Sequence, residues 1–167
     1  VDPLPIVWDP NSRVGEMLKG KRGLVIGVAN ADSIAYGCAV KLRAFGADIA
    51  LTYLNDKAKK HVEPLAQQID ASLLLPLDVT QPGQMQAVFE RIRSEWGQLD
   101  FAIHSIAFAP REAISGEFLD GLTREAFREA HDISAYSFPA LAKAALPMMA
   151  GRAGAMLTLT YLGADRQ

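Results

Sequence analysis

Cysteine occurs once in this chain, at Cys38, so no internal disulfide can form and a reducing compartment is expected. Neither basic nor acidic residues are in large excess. The 17 basic and 19 acidic residues leave a net charge of −2, which gives no electrostatic footprint for nucleic acid or an anionic membrane. No apolar run approaches the ~20 residues that span a bilayer. Residues 1–20 carry Pro3, Pro5 and Pro10 among scattered charges and contain no apolar block of the signal-peptide kind. His61, His104 and His131 are isolated from one another and from thiol or carboxylate partners at metal-ligand spacing, so no metal site is expected. From these absences a cytoplasmic protein without nucleic-acid or membrane partners is expected.

What is present is apolar sequence in an ordered pattern. With 167 residues and 50% hydrophobic composition, the chain can bury one substantial core. Consecutively apolar runs at 23–28, 48–53, 72–77, 101–105 and 155–160 alternate with amphipathic stretches at 33–45, 56–69, 81–96 and 124–149. Strands apolar on successive positions are buried on both faces, so the expected fold class is α/β, a doubly wound parallel sheet of Rossmann type with five strands. Residues 1–20 read as an irregular leader with a short helical turn near 14–18, and residues 21–167 as one nucleotide-binding domain. The stretch 110–123 lacks periodicity and reads as a functional loop. Pro139 lies inside the last helical pattern, where it removes a hydrogen bond and crowds the carbonyl of Ala135, so a kink is expected there.

The most informative segment runs from Gly27 through Ala29, Asn30, Ser33 and Ile34 to Gly37. It joins the first strand to the first helix through small residues. Orphan amides and the macrodipole at such a helix start favour a pyrophosphate. Ser33, or Asp32 in its place, is positioned to cap the helix, and the Ser33 hydroxyl and Ile34 amide can also hold a phosphate. Asn30 is a residue that can tolerate an unusual backbone conformation in the turn.

After the second strand, Tyr53 is followed by Leu54, Asn55 and Asp56 with no base directly adjacent, while Lys57, Lys59 and Lys60 read as a solvated face. That pattern leans towards NADH. Asp78 and Val79 close the third strand, where the carboxylate either accepts from an adenine amino group or stabilises the turn before Gln81. His104 reads as a satisfied core residue. Tyr136 and Lys143 have the spacing of a catalytic tyrosine–lysine pair, but they precede the fifth strand and read as a decoy.

Taken in order, these segments resemble an enoyl-acyl-carrier-protein reductase, a branch of the short-chain dehydrogenase/reductase superfamily. The resemblance is carried by Ser33-Ile-Ala-Tyr-Gly37, Thr52-Tyr53 with Asn55-Asp56-Lys57, Asp78-Val79, His104-Ser-Ile-Ala-Phe-Ala-Pro110, His131-Asp-Ile-Ser134 and Leu157-Thr-Leu-Thr-Tyr161-Leu-Gly163. It implies reduction of the trans-2 double bond of an enoyl thioester on acyl carrier protein in fatty-acid elongation, with NADH as cofactor and NADPH as the alternative. Gly27, Ala29, Ser33 and Ile34 would line the pyrophosphate, and Asp78 and Val79 the adenine. Ser105, Ile106 and Ala107 would run beneath the ribose and nicotinamide, Ile133 would pack nearby, and Tyr161 would be catalytic. Ala107 and Leu54 depart from the glycine and glutamine that many members carry at these positions.

The family's second tyrosine and its lysine have no counterpart before Gln167. An incomplete reductase of little activity is therefore expected from this chain, with 155–160 as a raw sheet edge and a homo-oligomer, a tetramer, in the full-length form. Two rival readings are a carbonyl reductase or dehydrogenase of the same superfamily and a non-catalytic nucleotide-binding fragment.

Overall fold

A computed structural model describes residues 16–117 and 119–160. Five strands alternate with helices: β1 Arg22–Ile26, α1 Ile34–Ala44, β2 Asp48–Tyr53, α2 Asp56–Gln68, β3 Leu73–Pro76, α3 Gln84–Trp96 and β4 Phe101–His104. A short 3-10 turn at Arg111–Ala113 precedes α4 (Arg124–His131), a π-helical turn (Asp132–Tyr136), α5 (Ser137–Met149) and β5 (Ala155–Thr158). Every pairing is parallel and the strand order is β3-β2-β1-β4-β5. This is the doubly wound α/β sheet expected.

The two faces are separately filled, as the consecutively apolar strands require. Leu24, Ile26, Ala50 and Ala102 point to one side, where Val88, Phe89 and Ile92 of α3 and Leu141 and Ala145 of α5 cover them. Val25, Ile49, Leu51 and Ile103 point to the other, against Ala35 and Ala39 of α1 and Val62 and Leu65 of α2. Period-2 alternation along each strand thus feeds two cores rather than one core and a wet face.

Element ends differ from the expected ones for identifiable reasons. β1 stops at Ile26 because Gly27 adopts φ +102°. α3 begins at Gln84 instead of residue 81, since Gly83 sits at φ +85° and the chain before it is a turn closed by Gln81 N–H on the Asp78 carbonyl. The helix expected over 124–149 is interrupted by the π turn, which contains Ala135, the residue whose carbonyl Pro139 crowds. Pro64 and Pro147 also lie inside helices, in α2 and α5.

Of the short turn expected near 14–18, Glu16 onward forms a turn in which the Leu18 N–H donates to the Phe45 carbonyl, while Val14 and Gly15 lie outside the described residues. β5 forms one edge of the described sheet, with Ala155, Leu157 and Thr158 exposed.

At the N-terminal ends of the strands the sheet is fastened by Asp100. Its carboxylate accepts from Lys21 Nζ at 3.1 Å, the Arg22 amide at 3.0 Å and Arg152 Nη2 at 2.8 Å. Burial works against the charge, but these donors outweigh it and hold the carboxyl below its ordinary range. One carboxylate thereby ties β1, β4 and the α5–β5 connection together.

Candidate nucleotide-binding edge

Because all five strands are parallel, their C-terminal ends share one edge of the sheet, and every described candidate residue lies along it. The connections from β1 and β4 leave in opposite directions at their junction. Ligands of open α/β sheets bind at such a topological switch point.

At the centre of this edge the backbone of β1 comes hard against that of β4. A Cβ on Gly27 would stand 1.9 Å from the Ser105 carbonyl oxygen, so only glycine fits. Ser105 is fixed in turn by its N–H donating to the Ile26 carbonyl at 3.1 Å.

The turn from Ala29 to Ser33 is organised by Asn30. Its side-chain oxygen accepts from the Asp32 N–H at 3.0 Å, and its backbone carbonyl accepts from the Ser33 hydroxyl at 2.6 Å. Asn30 therefore works through its side chain and not through an unusual backbone, since Asp70 is the only described non-glycine with positive φ.

The expected cap of α1 is not made. Ser33 occupies the N-cap position with extended backbone, but neither its hydroxyl nor the Asp32 carboxylate accepts from the helix, and the first turn contains no acid. The Ser33 proton is engaged by Asn30. By contrast, Asn55 caps α2 on the Ala58 amide at 3.0 Å, and Thr123 caps α4 on the Ala126 amide at 3.0 Å. The start of α3 is likewise without a side-chain cap or an acid, but the bare start of α1 is the one beside Gly27 at the β1–β4 switch point, with Ala29 and Ile34 exposed next to it.

Asp78 and Val79 lie beyond β3, three strand positions from β4, or about 14 Å at the usual strand spacing. The turn reading of Asp78 is realised: its Oδ1 accepts from the Thr80 N–H and hydroxyl at 2.9 and 2.7 Å. Its Oδ2 takes no hydrogen bond among the described residues. Val79 is half-buried against the α3 core. Leu54 is 55% exposed on the same edge. Lys59 lies 5.8 Å from the Tyr53 ring and 3.9 Å from Glu63, as a solvated lysine would.

Beyond β4, Ser105 and Ile106 are half-buried and Ala107 is exposed. The π turn carrying Ile133 is brought to them by Ser134, whose Oγ accepts from the Phe108 N–H at 2.9 Å and donates to the Phe108 carbonyl at 3.0 Å. Sequence reading missed this clamp, because a serine in a helical pattern gives no sign of its partner on a distant loop. His104 is a satisfied core residue, as expected, bonded to Ser137 and Thr158. Burial holds its pKa below 6.5. Tyr136 is 64% exposed within the π turn, and Lys143 faces a groove between α3 and α5. Tyr161 lies outside the described residues.

Residues 27–167 match the family model described as enoyl-(acyl carrier protein) reductase. The chain is 49% identical over 149 residues to the NADH enoyl-[acyl-carrier-protein] reductase FabI of Neisseria meningitidis serogroup B, covering 89% of this chain and 57% of that one. It is 45% identical to FabI of Escherichia coli K12 over the same share of this chain and 56% of the relative. Among solved structures, the reductase of Anaplasma phagocytophilum in complex with NAD superposes with a TM-score of 0.86 at 40% identity, covering 92% of this chain and 58% of that one. The chain thus spans little more than half the length of these relatives. With a matching fold, a matching family model and close relatives of one kind, this chain belongs to the enoyl-(acyl-carrier-protein) reductase family.

Proposed function

We propose that this chain carries the nucleotide-binding part of an NADH-dependent enoyl-acyl-carrier-protein reductase, which reduces the trans-2 double bond of enoyl thioesters in fatty-acid elongation. The observation that carries this reading is the bare first turn of α1 beside Gly27. A helix start without a side-chain cap or an acid leaves its N–H groups and positive dipole end for an anionic ligand. Gly27, which its contact with the Ser105 carbonyl restricts to glycine, brings the β1 and β4 ends together directly beside this helix start. Both features fit a dinucleotide pyrophosphate.

In this reading Gly27, Ala29, Ser33 and Ile34 line the pyrophosphate, and the remaining Asp78 oxygen accepts from the adenine amino group while Val79 packs the ring. Ser105, Ile106 and Ala107 form the floor beneath the ribose and nicotinamide, with Ile133 packed against it. When bound, NADH supplies the hydride for the β-carbon of the enoyl thioester. Negative charge then develops on the thioester oxygen as an enolate, and a proton is taken up at the α-carbon. Tyr161, three residues past the end of β5 in sequence, polarises that oxygen through its hydroxyl. A donor aimed there stabilises the transition state more than the ground state.

The substrate is proposed to arrive on acyl carrier protein, and the full-length protein to be a cytoplasmic homo-oligomer, a tetramer. None of the described helices is long and apolar enough to cross a membrane.

The test is loss of nicotinamide absorbance when the full-length protein is mixed with NADH and a crotonyl thioester. Turnover with NADH, weak or absent turnover with NADPH, and a severe loss in Tyr161→Phe are expected. Activity with an acetoacetyl thioester and none with the crotonyl thioester would replace this reading with a carbonyl reductase. NADH binding without reduction of either would replace it with a non-catalytic nucleotide-binding protein.

A further inference from the structure

A directed chain of hydrogen bonds crosses the fold just below the nucleotide edge and plays no part in the assignments above. His104 and Thr158 are register partners on β4 and β5, and Ser137 opens α5 over the same sheet face. His104 and Ser137 are almost completely buried, at 1% and 2% exposure.

The direction of the chain follows from counting protons. Ser137 has one hydroxyl proton, and its Oγ lies 2.5 Å from the Ile133 carbonyl oxygen, which can only accept. The proton therefore goes to Ile133. The Ser137 oxygen, 2.6 Å from His104 Nε2, must then accept, so Nε2 carries the hydrogen. In a neutral ring this leaves Nδ1 bare, and Nδ1 accepts from the Thr158 hydroxyl at 3.1 Å. The links run Thr158 to His104 to Ser137 to the Ile133 carbonyl, each donating to the next.

The far end of this chain is the π turn. A π turn is wider than an α turn, and serine hydroxyls can add hydrogen bonds to its backbone, including to the carbonyl four residues earlier. Ser137 supplies one at Ile133, and Ser134 holds the next residue of the turn to Phe108. Ile133 and the strand ends leading to Ala107 and to Tyr161 are therefore joined through one imidazole.

We infer that His104 is a positioning residue: in its neutral, Nε2-protonated form it locks the Ile133 turn to the ends of β4 and β5, and so sets the floor on which the nicotinamide rests. This rests on the NADH reading above. Protonation turns Nδ1 into a donor. The Thr158 hydroxyl must then turn to accept, which reverses that link, and the ring carries a positive charge into the buried junction of β4, β5 and α5. The groups facing the ring are Thr158 from β5 and Ser137 and Phe138 from α5, none of them charged. Nothing among these three compensates a charged imidazole, in keeping with the lowered pKa.

The test uses the full-length protein labelled with ¹⁵N-histidine, together with His104→Gln, His104→Phe and Ser137→Ala. The His104 ring is expected as the Nε2–H tautomer at neutral pH, and Ser137→Ala is expected to lose that preference. Single-turnover reduction of a crotonyl thioester should weaken on the acid side in wild type. In His104→Gln, which keeps a donor towards Ser137 but cannot titrate, the neutral-pH rate should be largely kept and the acid weakening abolished. His104→Phe should lose roughly tenfold or more in rate.

An Nδ1–H or charged ring at neutral pH, with NADH binding intact, overturns this inference alone. So does an unaltered acid limb in His104→Gln. A protein with the Nε2–H ring that binds no NADH overturns the cofactor reading and this role with it.

Discussion

At Gly27 a single hydrogen stands where any other residue would drive a carbon to 1.9 Å from the Ser105 carbonyl, on a backbone at φ +102°. Gly27→Ala must therefore part β1 from β4 at the centre of the edge. The expected loss is roughly 3 kcal/mol or more of stability, read by thermal denaturation, and NADH binding should go with it. Ser33 and Asn55 make an instructive pair at the same scale. Asn55→Ala removes a working cap and should lower stability by about 1 kcal/mol, whereas Ser33→Ala removes no cap, because the Ser33 hydroxyl donates to Asn30. Denaturant midpoints of the two variants distinguish these expectations. Sequence alone marked Ser33 as a cap and assigned no such role to Asn55, the reverse of what the structure shows. The difference lies in where one hydroxyl proton goes, which depends on the shape of the turn.

The break between α4 and α5 shows how far an element can be read from composition. Pro139 announced a distortion near Ala135, since a proline ring acts on its own helix through covalent geometry. The form of that distortion was not legible. Its π turn is held by Ser134 on Phe108 and by Ser137 on His104, contacts that join residues far apart in the chain. Ser134→Ala deletes both bonds to Phe108, each worth about 1 kcal/mol net. Amide hydrogen exchange at Phe108 is expected to accelerate by about tenfold or more, while exchange in the β1–β2 centre stays unchanged. Equal exchange at Phe108 in both proteins would show that Ser134 does not hold the loop.

Across the whole molecule, the parallel sheet and its two cores were legible because apolar runs on consecutive positions admit few other folds. The network at Asp100 was not, since its donors come from two segments far from it in the chain, Lys21-Arg22 and Arg152. Asp100 and His104 together shape stability against pH. His104 has a folded pKa below its ordinary 6.5, so the unfolded chain takes up the proton first. That contribution is complete above 6.5 and is lost as pH falls through and below it. Asp100 also has a depressed pKa, so its contribution holds above its ordinary 3.8 and is lost as pH falls towards the lower folded value. Chemical denaturation across pH should show two successive declines on acidification. His104→Gln should remove the upper one, and Asp100→Asn the lower one, with a loss of roughly 3 kcal/mol at neutral pH.

The central claim is that the uncapped start of α1 beside Gly27 is the pyrophosphate site. Ile34 is 66% exposed in the first turn of that helix, so a carboxylate can be placed there with little disturbance of the core. Ile34→Asp complements the macrodipole and should leave stability unchanged or raise it by about 0.5 kcal/mol. The same charge repels a pyrophosphate. NADH titration by nicotinamide fluorescence, with a thermal melt of the same samples, should show affinity falling tenfold or more, by roughly 1.4 kcal/mol, while the melting temperature holds or rises. Equal NADH affinity in wild type and Ile34→Asp would contradict the claim and place the dinucleotide elsewhere.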